Sequence, residues 1–136
     1  MASVPAWVDR EAYPFDSRFV DLDAGRVHYV DEGPEDGGNA TLLLLHGNPT
    51  WSFLYRDLVA GLSDEYRCVA LDYLGFGLSE RPDDFTYRPE DHADVVEAFV
   101  EKWEERLAFT AAANHVGNPR NECVIRGCAA SRADKP

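Results

Sequence analysis

The residues best placed to do chemistry are His46-Gly47-Asn48-Pro49-Thr50-Trp51, which follow the unbroken apolar run Thr41 to Leu45 and precede a helical pattern. Ligands of open α/β sheets bind beyond the carboxyl ends of the strands, and this turn lies at such an end. It sets backbone N–H groups and the Asn48 amide beside a helix N-terminus, a place suited to stabilising negative charge. His46 and Gly47 can equally serve only to shape a tight turn, and periodicity alone does not choose between the two. A second stretch, Gly75-Phe76-Gly77-Leu78-Ser79, follows Asp72 and has two glycines of a phosphate-binding fingerprint. The third glycine is missing, because Glu80 stands there, so a dinucleotide loop is excluded.

The other candidates are weaker. His28 alternates with apolar residues on a strand pattern and His92 falls in a first helical turn, neither beside a cysteine or carboxylate spacing that would make a metal site. His115, Cys123 and Cys128 are three potential zinc ligands at irregular spacing, and the expectation is no metal and no cofactor. Cys68 sits in an apolar run and reads as a buried free thiol, with no disulfide framework. Trp51 and Tyr55 can line a channel, but on a helix that must bury one face core packing is the stronger expectation.

The elements that must position these residues follow from the pattern. Arg18 to Asp23 and Arg26 to Glu32 alternate apolar and polar residues around Ala24-Gly25, a hairpin signal. Thr41 to Leu45 and Tyr66 to Leu71 read as strands buried on both faces. Between them Trp51 to Leu62 places apolar residues at 51, 54, 55, 58, 59 and 62, a helical stripe. Strand, helix, strand makes a right-handed crossover with parallel strands. Pro89 to Leu107 is the next helix, opened by Pro89, Glu90 and Asp91 and apolar at Val95, Val96, Phe99, Val100 and Trp103. A third parallel strand is expected next, and Cys123 to Ile125 is short for it.

With these elements in place the motifs become recognisable. LLLLHGNPTWSFLYR followed by LDYLGFGLSERP resembles the N-terminal part of haloalkane dehalogenases in the α/β-hydrolase superfamily, over about Tyr13 to Glu101. The resemblance implies an α/β class fold: an incomplete α/β-hydrolase sheet with an N-terminal antiparallel hairpin, then parallel strands with crossover helices, truncated before the nucleophile elbow. It implies that Asn48 contributes a backbone N–H to an oxyanion hole and that its side chain helps hold the departing halide. His46 matches a motif histidine that is not the catalytic base, and with Gly47, Pro49 and Trp51 it supports the motif. Gly47 is expected to let the chain turn closely beneath the site, and the Asn48-Pro49 bond to be cis. Asp72, Gly75, Gly77 and Ser79 are expected to form a structural loop, with Asp72 capping it and Ser79 no nucleophile.

The family reaction, as the resemblance implies it, is attack of an aspartate on carbon to displace halide, then hydrolysis of the ester by water that a histidine activates. None of nucleophile, acid and base can be placed in this sequence: neither Asp-Trp-Gly-Gly nor Gly-x-Ser-x-Gly occurs. The expectation is therefore a truncated dehalogenase-like hydrolase, inactive by itself, whose intact form takes a small apolar substrate. A truncated epoxide hydrolase or β-lactone-opening relative is the second reading. A non-enzymatic interaction module, or half of a split protein, is the third.

Composition bounds the setting. The 136 residues contain 13 basic and 25 acidic side chains, and the only lysines are Lys102 and Lys135. At molar salt the Debye length falls to about 3 Å, so a net charge of −12 would be tolerated there and would be destabilising in dilute buffer, a halophilic expectation. Such a surface disfavours nucleic acid, and no segment reads as a membrane span or signal peptide, which gives a cytoplasmic expectation. Residues 1–102 carry 8 basic and 21 acidic side chains, whereas 103–136 carry 5 and 4. That shift divides the chain into an N-terminal part of a hydrolase domain and an atypical tail, foreign or frame-shifted. An uncovered sheet edge is expected to favour self-association.

Overall fold

The computed structural model describes residues 4–35, 40–114 and 123–125, the last stretch and residues 104–114 as backbone only. Strand β1 (Arg18–Leu22) and strand β2 (Gly25–Glu32) form the antiparallel hairpin, with Arg18 opposite Tyr29 and Leu22 opposite Gly25. Strands β3 (Thr41–Leu45) and β4 (Arg67–Leu71) are parallel, and β2 pairs antiparallel with β4. A three-residue strand β5 (Cys123–Ile125) lies parallel to β3 over Thr41 to Leu43, so the sheet order is β1-β2-β4-β3-β5.

Strand β4 is interior, flanked by β2 and β3. One expectation needs correction here. Strand β3 has a parallel partner over three of its residues, supplied by the segment read as short for it; among the described residues Leu44 and Leu45 extend beyond it.

Side chains alternate across the sheet, so each strand feeds two cores. On one face Val27, Tyr29, Val69 and Leu71 pack with Leu43 and with Val95, Val96, Phe99 and Trp103 of helix α2 (Pro89–Asn114). The stripe read from the sequence is the buried face of that helix, although the helix runs beyond Leu107 to Asn114. On the other face Val30, Cys68 and Ala70 pack with Val59 of helix α1 (Arg56–Leu62) and with Val8, Tyr13 and Phe15 from the N-terminal segment. Cys68 is a buried free thiol, its ionisation disfavoured by burial.

The α1 region departs from the uniform helix that the apolar spacing suggests. Ser52–Tyr55 is a 3₁₀ turn, and only Arg56–Leu62 is α-helical. A 3₁₀ turn advances three residues per turn rather than 3.6, so the face presented to the sheet slips in phase. Ser52 and Val59 are buried, while Leu54 and Leu58 of the expected stripe are 54% and 46% exposed.

An ion pair ties the strands to α2. Arg67 donates through Nε to Asp31 Oδ1 at 2.8 Å and through Nη2 to Oδ2 at 2.7 Å, and its guanidinium lies 5.2 Å from the Trp103 ring. No helix among the described residues is long and apolar enough to cross a membrane.

Candidate functional site

The carboxyl ends of the parallel strands β3 and β4 lie side by side, and two hydrogen bonds lace the turns that follow them. His46, buried just past β3, accepts the Tyr73 backbone N–H at Nε2 over 3.0 Å. Asp72, buried just past β4, accepts the Ser52 N–H at Oδ1 over 2.7 Å. Each turn is therefore fixed by a side chain of the other.

The His46 ring is neutral by geometry. Because Nε2 accepts, the hydrogen is on Nδ1, which donates to the Gly47 carbonyl at 2.7 Å. Burial holds this histidine below its ordinary titration range, against the opposing pull of the Gly47 carbonyl and Asp72. The ring also packs against Tyr73 at 4.1 Å and Phe76 at 5.4 Å between centroids. A residue so engaged positions a turn; it is not free to shuttle protons.

Gly47, Asn48 and Pro49 are exposed beyond His46, and the Asn48-Pro49 peptide is cis. The close backbone approach expected at Gly47 is absent, since a Cβ there would meet nothing within 4 Å and its φ is not left-handed. The glycines that the backbone does require are in the other turn. Gly77 has φ +52°, and a Cβ there would run into the Asp72 carboxylate and lie 2.9 Å from Trp51 Cβ. Gly75, at φ +86°, passes beneath the Tyr87 ring, which a Cβ would meet at 2.6 Å.

Asp72 is the hub of the second turn. Besides Ser52 it accepts the Leu78 N–H at 3.0 Å and faces His28 Nδ1 at 2.8 Å through Oδ2. Ser79 donates to the Asp72 carbonyl at 2.6 Å and accepts the His28 N–H at 2.8 Å, so its hydroxyl is fully committed inside the loop. Trp51 stands half-buried, stacked on Phe53 at 5.5 Å and tilted against Tyr13 at 5.2 Å. Tyr55 donates to the Leu45 carbonyl at 2.5 Å.

Sequence reasoning left several members of this arrangement unassigned. Tyr13 is fully buried, shares a 2.6 Å hydrogen bond with Ser52, and has its ionisation pushed far up by burial. His28 was read as an isolated strand histidine; 44 residues separate it from the carboxylate it contacts, a distance no local pattern spans. His92 packs among Tyr73, Phe76 and Phe85, and burial with the neighbouring His46 depresses its protonation. Among the described residues no three His, Cys, Asp or Glu side chains are grouped to hold a metal. His115 and Cys128, and the side chain of Cys123, lie outside the described residues.

Residues 40–106 match the family model of the alpha/beta hydrolase fold. Haloalkane dehalogenase 2 of Mycobacterium tuberculosis is 57% identical over 93 residues, which are 68% of this chain and 31% of that protein. A cis-3-alkyl-4-alkyloxetan-2-one decarboxylase of Xanthomonas campestris is 49% identical over 73 residues, 53% of this chain and 24% of that protein. Among solved structures, the tetrameric haloalkane dehalogenase of Paraglaciecola agarilytica superposes with a TM-score of 0.61 at 35% identity, covering 71% of this chain and 36% of that one. This chain thus spans about a third of the length of the relatives it matches.

Proposed function

On the premise that residues 13–101 are haloalkane dehalogenase-like and belong to the α/β-hydrolase superfamily, we propose that they form the leaving-group side of a hydrolytic dehalogenation site. The observation that carries this reading is the position of Asn48. It stands exposed past the end of β3, on a turn pinned by His46 and by the Ser52–Asp72 hydrogen bond. Its exposed N–H and amide can meet a halide or oxyanion, and donors held in place beforehand cost little reorganisation when charge develops. His46, Pro49 and Trp51 support the turn, while Asp72, Gly75, Gly77 and Ser79 build the neighbouring loop that holds it. The substrate class is a small apolar halogenated compound, and no cofactor enters.

The chain by itself lacks a turnover step under this proposal, because no aspartate or serine stands in a nucleophile motif of its sequence. It acts as an anion-binding half-site, and the change of composition after residue 102 supports reading the remainder as an atypical tail. The likeness to the oxetanone decarboxylase supports a second reading, in which the same turn faces the carboxylate or oxyanion of a β-lactone substrate.

Bromide titration followed by tryptophan fluorescence tests the proposal, since Trp51 adjoins the Asn48 turn. A saturable component lost in Asn48→Ala is expected; purely linear quenching in both proteins would overturn it. Bromoalkane hydrolysis should not exceed the buffer blank, and clear halide release abolished by Asn48→Ala would show a complete catalytic site.

A further inference from the structure

The hydrogen-bond network beneath the candidate site contains an arrangement in which the dehalogenase-like reading uses Asp72 and leaves Ser17 and His28 without a role. Ser17 Oγ lies 3.0 Å from His28 Nε2, and His28 Nδ1 lies 2.8 Å from Asp72 Oδ2. The three residues come from separate parts of the sheet: the segment entering β1, the middle of β2, and the turn after β4. Order and ring-nitrogen usage are those of a serine–histidine–aspartate triad, which is recognised by geometry and roles rather than by sequence position.

The direction of each hydrogen bond is set by what surrounds it. Asp72 receives N–H donors at both oxygens, from Ser52 and Leu78, so it acts as acceptor toward the ring and His28 Nδ1 carries the hydrogen. That tautomer leaves Nε2 as an acceptor, and its partner is the Ser17 hydroxyl. The imidazole and carboxylate have no solvent exposure, and the ring is held edge-on by Phe19 at 5.2 Å. Ser17 itself is only partly buried, so the residue at the nucleophile position is less enclosed than the imidazole behind it.

We propose that Ser17, with His28 as base and Asp72 orienting it, is a second nucleophilic site that accepts a group from activated esters and organophosphorus fluorides. With a fluorophosphonate, Ser17 Oγ attacks phosphorus. The O–P bond forms, the P–F bond breaks, fluoride departs, and the hydroxyl proton passes to His28 Nε2. An activated ester reacts likewise at its carbonyl carbon, expelling the alkoxide or phenoxide. A serine without a base is inert to both reagents, and a positioned base contributes roughly 10²–10⁴-fold.

The test is labelling of the full chain with a fluorophosphonate probe, followed by peptide mapping. Modification at Ser17, with that labelling lost in a Ser17→Ala protein of unchanged circular dichroism, is the expected result. An unmodified Ser17, or equal labelling of the Ser17→Ala protein, overturns the proposal. Ser17→Cys supplies an independent measurement. A thiol beside an imidazole ionises early, so at about pH 6.5 it should react with iodoacetamide roughly tenfold faster than free cysteine, while buried Cys68 stays unmodified. Alkylation of that thiol no faster than free cysteine means that His28 does not activate position 17, and the assignment fails.

Discussion

His28 and Asp72 meet at 2.8 Å with neither side chain exposed to solvent, and through them the second strand of the hairpin is joined to the turn that follows β4. Asp72 is also the acceptor for Ser52 and Leu78, so its removal deprives three donors of their partner, those of His28 and Ser52 fully buried. Leaving a buried donor unsatisfied costs about 1–3 kcal/mol. With three donors affected, Asp72→Ala should lose at least about 3 kcal/mol in denaturant unfolding. A loss below about 1 kcal/mol would show that water replaces the carboxylate readily.

The two glycine positions should behave oppositely. Gly77→Ala puts a methyl group against the Asp72 carboxylate and Trp51 at a left-handed φ, so a loss of about 2 kcal/mol or more is expected. Gly47→Ala meets open space and should be neutral to slightly stabilising, within about 1 kcal/mol. Thermal unfolding of both variants in the same buffer decides it, and an equal loss at the two sites would contradict the described turn.

Acid should weaken the fold through His46 and His92. Burial lowers the folded-state protonation of each, whereas in the unfolded chain histidine titrates near pH 6.5. Between the lowered folded value and about 6.5 the unfolded state binds more protons, so stability is full above this window and falls as pH drops through it. The melting temperature should decline from pH 7.5 to 5.5 at fixed salt. His46→Asn should flatten part of that slope while lowering the whole curve; a curve with unchanged slope would remove His46 from the account.

Salt should act in the opposite sense to its usual effect on surface pairs. With a net charge of −12, self-repulsion in dilute buffer is screened at molar KCl, and the melting temperature should rise between the two conditions. No rise would dismiss the halophilic reading.

Self-association is expected through Leu44 and Leu45, the part of β3 extending beyond β5, assisted by the exposed Leu54 and Leu58. Size-exclusion chromatography in molar KCl should show a species larger than the monomer. Leu54→Glu with Leu58→Glu should reduce it at little cost in stability, since both side chains are already about half exposed. A sharp monomeric peak for the unmodified chain would mean that this surface is closed in solution.

Much of the architecture was legible in the residues alone because local patterns carry it. The alternation around Ala24-Gly25 determined the hairpin, the unbroken run Thr41 to Leu45 determined a strand in a parallel pair, and the stripe from Val95 to Trp103 determined which face of α2 is buried. The motif His46 to Trp51 likewise determined that a turn follows β3 at the candidate site. Periodicity failed where backbone geometry changed within an element: the 3₁₀ turn at Ser52–Tyr55 rotated Leu54 and Leu58 out to solvent. Only the tertiary structure decided the polar network. Ser17, His28, Ser52 and Asp72 come together because strand pairing stacks distant segments and because alternation puts His28 and Asp72 on the same face of the sheet. A buried carboxylate must find donors wherever the fold supplies them, and those donors follow no spacing that a single sequence displays.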